Sequence, residues 1–219
     1  MTSPNLPSLK GYSLREQLYA GKRSAVYRAL WDMEQCSVVI KLLQSEYPSF
    51  GELVQFRNQY QITKNLSIPG IVPPLALDPW RNGYALVMED FGGISLGDYV
   101  QQHELTGQEV LAIALQLADI LHDLYKHRVI HKDIKPANIL IHPETQQVKL
   151  IDFGIASLLP RESQALQSPS DLEGTLAYLA PEQTGRMNRG IDYRADYYAL
   201  GVTLYELLTG QLPFESEDP

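Results

Sequence analysis

The sequence predicts an α+β fold with a β-rich first part and a mainly helical second part. Runs rich in β-branched, aromatic and leucine side chains are predicted to form strands, and they lie at residues 12–18, 25–30, 38–43 and Gly83–Glu89. Later in the chain, two longer segments carry apolar residues at helical spacing. Segregation of strands and helices along a chain is typical of the α+β class.

Three segments are predicted to be helices. Residues 50–66 form the first, ended by Ser67-Ile68-Pro69-Gly70. Thr106 and Glu109 form a capping box that opens the second. Its apolar face consists of Val110, Ile113, Ala114, Leu117, Ile120, Leu121 and Leu124. The third begins near Asp196, an N-cap candidate, and ends at about Thr209, before Gly210.

Composition limits the partners and the compartment. The chain has 219 residues and a net charge of −8, which argues against nucleic acid or an anionic membrane surface as the main partner. Cys36 is the single cysteine, so no internal disulfide can form and a cytoplasmic location is expected. The first residues show no pattern of a signal peptide, and the longest apolar runs are too short and too interrupted to span a bilayer.

Polar residues converge around a predicted hairpin. Asp133 and Asn138 lie five residues apart on a predicted loop, which is followed by short strands at residues 139–141 and 148–151. Because the second strand returns to the end where the first began, Asp152 is expected beside Asn138 and Asp133, with Lys135 nearby. Two hard oxygen ligands suit Mg²⁺, which takes its other ligands from water and phosphates. The remaining carboxylate is available to orient a nucleophile and accept its proton.

At these residues the sequence resembles the protein kinase family. The stretch His131–Asn138 is similar to the catalytic loop, Asp152-Phe153-Gly154 to the metal-binding triplet, and Ala180-Pro181-Glu182 to the end of the activation segment. The resemblance extends from about Tyr12 to Phe214. Within that family, the sequence most resembles Ser/Thr kinase domains of bacterial multidomain sensor proteins. It implies a bilobal fold and transfer of the γ-phosphoryl group of ATP to a Ser/Thr hydroxyl of a protein substrate.

The resemblance assigns roles to the matching residues. Lys41 would hold the α- and β-phosphates, Asp133 would accept the hydroxyl proton, and Lys135 would neutralise charge on the γ-phosphate. Asn138 and Asp152 would be the Mg²⁺ ligands, and Asn138 also belongs to the catalytic set. The residues implied to bind nucleotide are Gly21, Val26, Val39, Lys41, Met88, Glu89, Phe91, Leu140 and Asp152. Met88 would be the gatekeeper, and the backbone of Glu89 and Phe91 would contact adenine.

The chain departs from the family pattern in three places. Gly21 is the only glycine of the phosphate loop, because Tyr19 and Ser24 occupy the other two glycine positions. Counting back from Pro69-Gly70 places Gln59 where the family has the glutamate that pairs with Lys41. Lys132 replaces the arginine that usually precedes the catalytic aspartate. On residues alone, the segment around Gly21 is better explained as a plain hairpin, and Lys41 is compatible with a surface lysine on an edge strand.

Two further expectations concern the second half. The polar segment 157–174 corresponds to an activation segment, and Thr175 would contact Asp133 and Lys135 when that segment is ordered. Asp196 would brace the backbone of the catalytic loop in addition to any capping role.

The predicted division is a tail at residues 1–11, an N-lobe at 12–88, a hinge at 89–93 and a C-lobe at 94–219 that lacks its last helices. A kinase domain of this kind is expected to continue into further domains after Pro219. Two alternatives remain open: a nucleotide-binding pseudokinase that acts as a scaffold, favoured by Gln59, and a small-molecule phosphotransferase that shares the same Asp/Asn/Asp core.

Overall fold

The computed structural model describes residues 6–158, 176–184 and 190–214. The chain divides into two compact units, Met1–Asn65 with Val72–Phe91, and Leu66–Ile71 with Gly92–Pro219. Thr175 and most of the predicted activation segment lie outside the described residues.

The first unit is built on one antiparallel sheet of five strands. The strands are β1 (Tyr12–Ala20), β2 (Ser24–Trp31), β3 (Cys36–Leu43), β4 (Pro74–Trp80) and β5 (Gly83–Glu89). Their order across the sheet is β1-β2-β3-β5-β4. The four predicted strands are confirmed, three of them slightly longer than expected. No pattern predicted β4, which contains Pro74 and Pro79 and lies at the edge of the sheet, where proline is tolerated.

Alternation along the strands gives the sheet two different faces. Val38, Ile40 and Leu42 of β3 are buried together with Ala29, Ala85 and Val87 in an apolar cluster. The residues between them, Val39 and Lys41, project from the other face because successive side chains of a strand alternate. Lys41 therefore lies on the opposite face from the core cluster.

Helix α1 (Phe50–Thr63) completes the first unit and ends three residues before the predicted terminus. Ser49 and Glu52 form a capping box at its start, which explains why Glu52 is engaged there rather than with Lys41. Gln59 is 5% exposed and lies among the buried residues of this helix.

The second unit contains three helices among the described residues: α2 (Leu96–Gln102), α3 (Gly107–Lys126) and α4 (Arg194–Thr209). Its short strands are β6 (Ile94–Ser95), β7 (Val129–Ile130), β8 (Ile139–Ile141), β9 (Val148–Leu150) and β10 (Ser157–Leu158). The predicted apolar face of α3 is buried except for the partly exposed Ala114. The capping box of Thr106 and Glu109 is confirmed, and its hydrogen bonds lower the pKa of Glu109. No helix in the described part of the chain is long and apolar enough to cross a membrane.

The segment Leu66–Ile71 belongs to the second unit, which no sequence pattern indicated. The backbone N–H of Leu150 donates to the carbonyl oxygen of Gly70 at 2.8 Å. A methyl group at Gly70 would overlap the side chain of Ile120, so only glycine allows this approach. The segment thereby packs against α3 and β9, the strand that leads to Asp152.

Candidate active site

The predicted hairpin is confirmed and places Asp152 near Asn138 along paired backbone. Ile139 of β8 is paired with Leu150 of β9. The backbone N–H of Ile151 then donates to the carbonyl oxygen of Asn138 at 3.0 Å. Since Asp152 is the next residue, the register sets it at the same end of the hairpin as Asn138.

The Asp133 carboxylate is held by two side chains. Asn138 Nδ2 donates to Asp133 Oδ2 at 2.7 Å and to the Asp133 carbonyl oxygen at 2.9 Å. Lys135 Nζ lies 3.0 Å from Oδ1 and 2.9 Å from Oδ2 of the same carboxylate. These contacts join three of the four predicted catalytic residues in one cluster and fix the direction in which Asp133 can accept a proton.

The orientation of Asn138 is compatible with a magnesium ligand. Because its Nδ2 group makes both bonds to Asp133, its Oδ1 atom points away from that carboxylate. An amide oxygen and the Asp152 carboxylate form the small, hard donor set that Mg²⁺ accepts when phosphates and water supply the rest. The donor chemistry therefore fits the metal that the sequence predicts.

Two active-site residues adopt a left-handed backbone conformation. Lys132 has a φ of 71° and Asp152 a φ of 65°. Such values are unfavourable for residues with a side chain, and they persist only where the surroundings impose them. Lys132 directly precedes Asp133, and Asp152 is itself a predicted site residue.

His131 connects the catalytic loop to the strand before Asp152. Its Nδ1 atom accepts from the backbone N–H of Asp133 at 3.2 Å, so Nε2 carries the proton and donates to the carbonyl oxygen of Ile151 at 3.0 Å. Its ring also packs edge-on against Phe153 with centroids 4.5 Å apart. A single fully buried imidazole thus couples the backbone of Asp133 to the backbone of Ile151 and the ring of Phe153.

Asp196 braces the catalytic loop, as the resemblance implied. Its Oδ2 accepts from the backbone N–H of His131 at 2.8 Å and its Oδ1 from that of Lys132 at 2.7 Å. Burial raises the pKa of Asp196, and the two backbone N–H groups oppose that rise by stabilising the carboxylate. The expected N-cap role is wrong, because α4 begins at Arg194 and Asp196 lies within its first turn.

We expect Asp196→Asn to lower the free energy of unfolding by about 2–4 kcal/mol, since an amide has one acceptor oxygen for two buried N–H donors. Urea unfolding monitored by circular dichroism measures this loss. Asp192→Asn is the matched control, because the Asp192 carboxylate pairs with the exposed Arg194 at the start of the same helix and such pairs contribute little. Equal losses in both variants would contradict the bracing role.

Gln183 is a positioning residue that the sequence interpretation missed. Its Oε1 accepts from the backbone N–H of Ala180, and its Nε2 donates to the carbonyl oxygen of Lys132, both at 3.0 Å. Together with Asp196, it holds the left-handed Lys132 from both sides of its backbone. The signal was available, since Gln183 directly follows the motif Ala180-Pro181-Glu182, but a glutamine there suggests no partner by itself.

Four of the predicted nucleotide-binding residues share one face of the sheet. Val26 is paired with Lys41, and Val39 with Met88. Directly paired residues of an antiparallel sheet project to the same side, so all four side chains face away from the apolar cluster. The arrangement supplies an apolar surface with one ammonium group.

Gln59 contacts Lys41, as the residue count predicted. Lys41 Nζ lies 3.4 Å from Gln59 Oε1, and Gln59 Nε2 lies 3.8 Å from the sulfur atom of Met88. The Lys41 ammonium also lies 5.5 Å from the ring centre of Phe56, also on α1. A neutral amide therefore occupies the place where a carboxylate would neutralise Lys41.

The remaining predicted residues lie at strand ends or in short strands. Gly21 forms a tight turn in which its N–H donates to the carbonyl oxygen of Ser24 at 2.9 Å, so that donor is already engaged within the loop. Glu89 ends β5, and its N–H donates to Pro73 at 3.1 Å. Phe91 follows two residues later. Leu140 is the central residue of β8 and is partly exposed.

The structure contains an antiparallel sheet with a lysine on one face, followed by a helical unit with a braced aspartate loop, as the resemblance to protein kinases implied. The chain belongs to the protein kinase family, because the family described as the protein kinase domain matches residues 12–219. The predicted α+β kinase fold is thereby confirmed, and the family implies ATP as a substrate.

The curated relatives include bacterial proteins named as serine/threonine-protein kinases. PrkC of Bacillus subtilis is 33% identical over 210 residues, covering 94% of this chain and 31% of the relative. PknB of Mycobacterium tuberculosis is 33% identical over 227 residues, covering 100% of this chain and 35% of the relative. A probable serine/threonine-protein kinase of Clostridium perfringens is 33% identical over 210 residues, covering 95% and 30%. The chain thus spans about a third of the length of these relatives.

Proposed function

We propose that this domain is a Ser/Thr protein kinase that transfers the γ-phosphoryl group of MgATP to a hydroxyl group of a protein substrate. The observation that carries the proposal is the Asp133 carboxylate held by Lys135 and Asn138 at 2.7–3.0 Å. A carboxylate fixed in this way is suited to orient a hydroxyl group and accept its proton. The names of the bacterial relatives support the same activity.

In the proposed reaction, the substrate hydroxyl oxygen attacks the γ-phosphorus atom and the bond to the β-phosphate oxygen breaks, so that ADP leaves. Asp133 takes the hydroxyl proton. Lys135 neutralises charge on the transferred group, and Lys41 holds the α- and β-phosphates. Lys135, two residues after Asp133, favours a Ser/Thr over a Tyr substrate.

Asn138 and Asp152 would hold Mg²⁺, which when bound offsets the negative charge of the phosphates. Adenine would contact the backbone of Glu89 and Phe91, with Met88 as the gatekeeper. Val26, Val39 and Leu140 would supply apolar contacts to the base. The proposal also places the domain in the cytoplasm, where MgATP is available.

Transfer of radiolabelled phosphate from MgATP to a protein substrate tests the function. The chain in its full natural length is the enzyme, and a general acceptor such as myelin basic protein or casein is the substrate alongside autophosphorylation. Nucleotide binding without any transfer would favour the scaffold alternative. Absence of binding would contradict the proposal altogether.

Gln59 is expected to limit the rate without abolishing transfer. A charged partner would position Lys41 better than the amide, by about 1–2 kcal/mol. Gln59→Glu should therefore raise kcat about five- to thirtyfold, since each 1.4 kcal/mol is roughly tenfold. Gln59→Ala should lower kcat below that of the natural protein, and steady-state kinetics measures both changes.

Gln61→Glu is the matched control, because Gln61 lies two residues further along α1 and is exposed. It adds the same charge to the same helix away from Lys41. If Gln61→Glu raised kcat as much as Gln59→Glu, the effect would come from general electrostatics, and the assigned role of Gln59 would be wrong.

A further inference from the structure

Tyr19 occupies a special position on the nucleotide-binding face of the first unit. It is paired with Val26, and Val26 is paired with Lys41, so the three residues form one row across β1, β2 and β3. Residues directly opposite each other in an antiparallel sheet project to the same face. The Tyr19 ring is therefore on the Lys41 face and not on the face of the apolar cluster.

The Tyr19 ring lies along the turn of the phosphate loop. A methyl group at Gly21 would overlap Tyr19 Oη and lie 2.8 Å from Tyr19 Cε1. The ring thus fills the space that the absent side chain of Gly21 leaves open. A side chain at position 21 would displace the far end of the Tyr19 ring from this place.

The position of the phenol places a hydrogen-bond donor on the same face of the sheet as Lys41. Neighbouring strands are about 4.8 Å apart, so the backbones of Tyr19 and Lys41 are separated by roughly 10 Å across Val26. Both side chains are long enough to converge over the strand between them. Tyr19 is 58% exposed, so its hydroxyl group is accessible to a ligand on this face.

The Tyr19 hydroxyl group would supply a donor that the backbone of Gly21 does not. The backbone N–H of Gly21, which could otherwise contact a phosphate, donates to the carbonyl oxygen of Ser24. A glycine at position 19 could contribute only its backbone groups to phosphate binding. The tyrosine adds an O–H group, and hydrogen bonds from such donors to an anion are stronger than those between neutral groups.

We propose that Tyr19 is a phosphate-binding residue whose hydroxyl group donates a hydrogen bond to the β- or γ-phosphate of bound ATP. This inference rests on the proposed kinase function. It makes Tyr19 a determinant of affinity for nucleoside di- and triphosphates, and gives it no part in the binding of the base.

Tyr19→Phe tests the proposal, because it removes the hydroxyl group and keeps the ring. The dissociation constants of MgATP, MgADP and adenosine are measured by calorimetry on the full chain, together with the KM for MgATP. We expect the dissociation constants of MgATP and MgADP to rise about tenfold to a hundredfold, as for loss of a hydrogen bond to a charged group. Adenosine affinity should be unchanged, because adenosine has no phosphate.

Tyr27→Phe is the matched control. Tyr27 lies on β2 of the same hairpin, is paired with Ile40 and packs against the apolar cluster on the other face. Removing its hydroxyl group should change none of the three affinities. Tyr19→Gly, which restores the residue of the family pattern, should weaken MgATP at least as much as Tyr19→Phe does.

Three results would overturn the inference: equal MgATP affinity in Tyr19→Phe and the natural protein, equal weakening of MgATP and adenosine, or tighter MgATP binding by Tyr19→Gly. The last result would mean that the ring blocks the phosphates. In each case the natural protein would still bind MgATP and transfer phosphate. Failure of the proposed function is distinct, because the natural protein itself would then show neither property.

Discussion

Replacing Asp133 with asparagine is expected to lower the rate of phosphoryl transfer about 100- to 10,000-fold, the usual contribution of a positioned general base. An amide oxygen can still accept the bond from Asn138 Nδ2, which lies 2.7 Å from Asp133 Oδ2. The amide cannot take the proton of the substrate hydroxyl group. MgATP affinity should remain, because Asp133 is not assigned to the nucleotide. Single-turnover kinetics and calorimetry measure the two quantities separately.

Asp123→Asn provides the comparison for Asp133→Asn. Asp123 is a surface carboxylate on α3 that pairs with Lys126 three residues away, so its loss should leave turnover unchanged. A loss of nucleotide affinity in Asp133→Asn as large as its loss of rate would contradict the assignment of Asp133 as the base.

Asp152→Ala is expected to remove magnesium-dependent turnover, with a loss of about a thousandfold or more. A bound metal ion contributes several kcal/mol of charge stabilisation, and each 1.4 kcal/mol is roughly tenfold. Affinity for MgATP should fall as well, because one of the two proposed ligands is gone. Calorimetry at increasing Mg²⁺ concentration measures the loss of coupling between metal and nucleotide.

The backbone of Asp152 calls for a second variant. Its φ of 65° is unfavourable for alanine but not for glycine. Asp152→Gly should lose magnesium-dependent turnover to the same extent while retaining more stability than Asp152→Ala. If Asp152→Gly kept its turnover, the defect of Asp152→Ala would reflect backbone strain, and the ligand role of Asp152 would be refuted.

Local patterns were sufficient for much of the fold. The four predicted strands, helix α3 with its capping box, and the hairpin of β8 and β9 depend on residues close together in the sequence. The position of Asp152 beside Asn138 could be predicted because strand geometry alone determines which residues share an end of the hairpin. Gln59 was placed opposite Lys41 by counting back from Pro69-Gly70 to the position of the family's glutamate, so that prediction came from the resemblance and not from local geometry. The five-stranded sheet was only partly predicted, since β4 carries two prolines and no alternating pattern.

The sequence by itself determined which residues are proposed to carry the chemistry, because the Asp133, Asn138 and Asp152 motifs are short and their spacing is local. Tertiary structure alone decided how that chemistry is held in place. Asp196 reaches His131 across 65 residues, and Gln183 reaches Lys132 across 51. The Leu66–Ile71 segment also contacts β9 from far away in the sequence, through a backbone bridge between Ile71 and Leu150. The backbone group that a side-chain carboxylate or amide will bind cannot be predicted from local sequence, since it depends on how helices and strands pack. The left-handed backbone of Lys132 follows from the same packing, because hydrogen bonds from two distant segments stabilise a conformation that its own sequence disfavours.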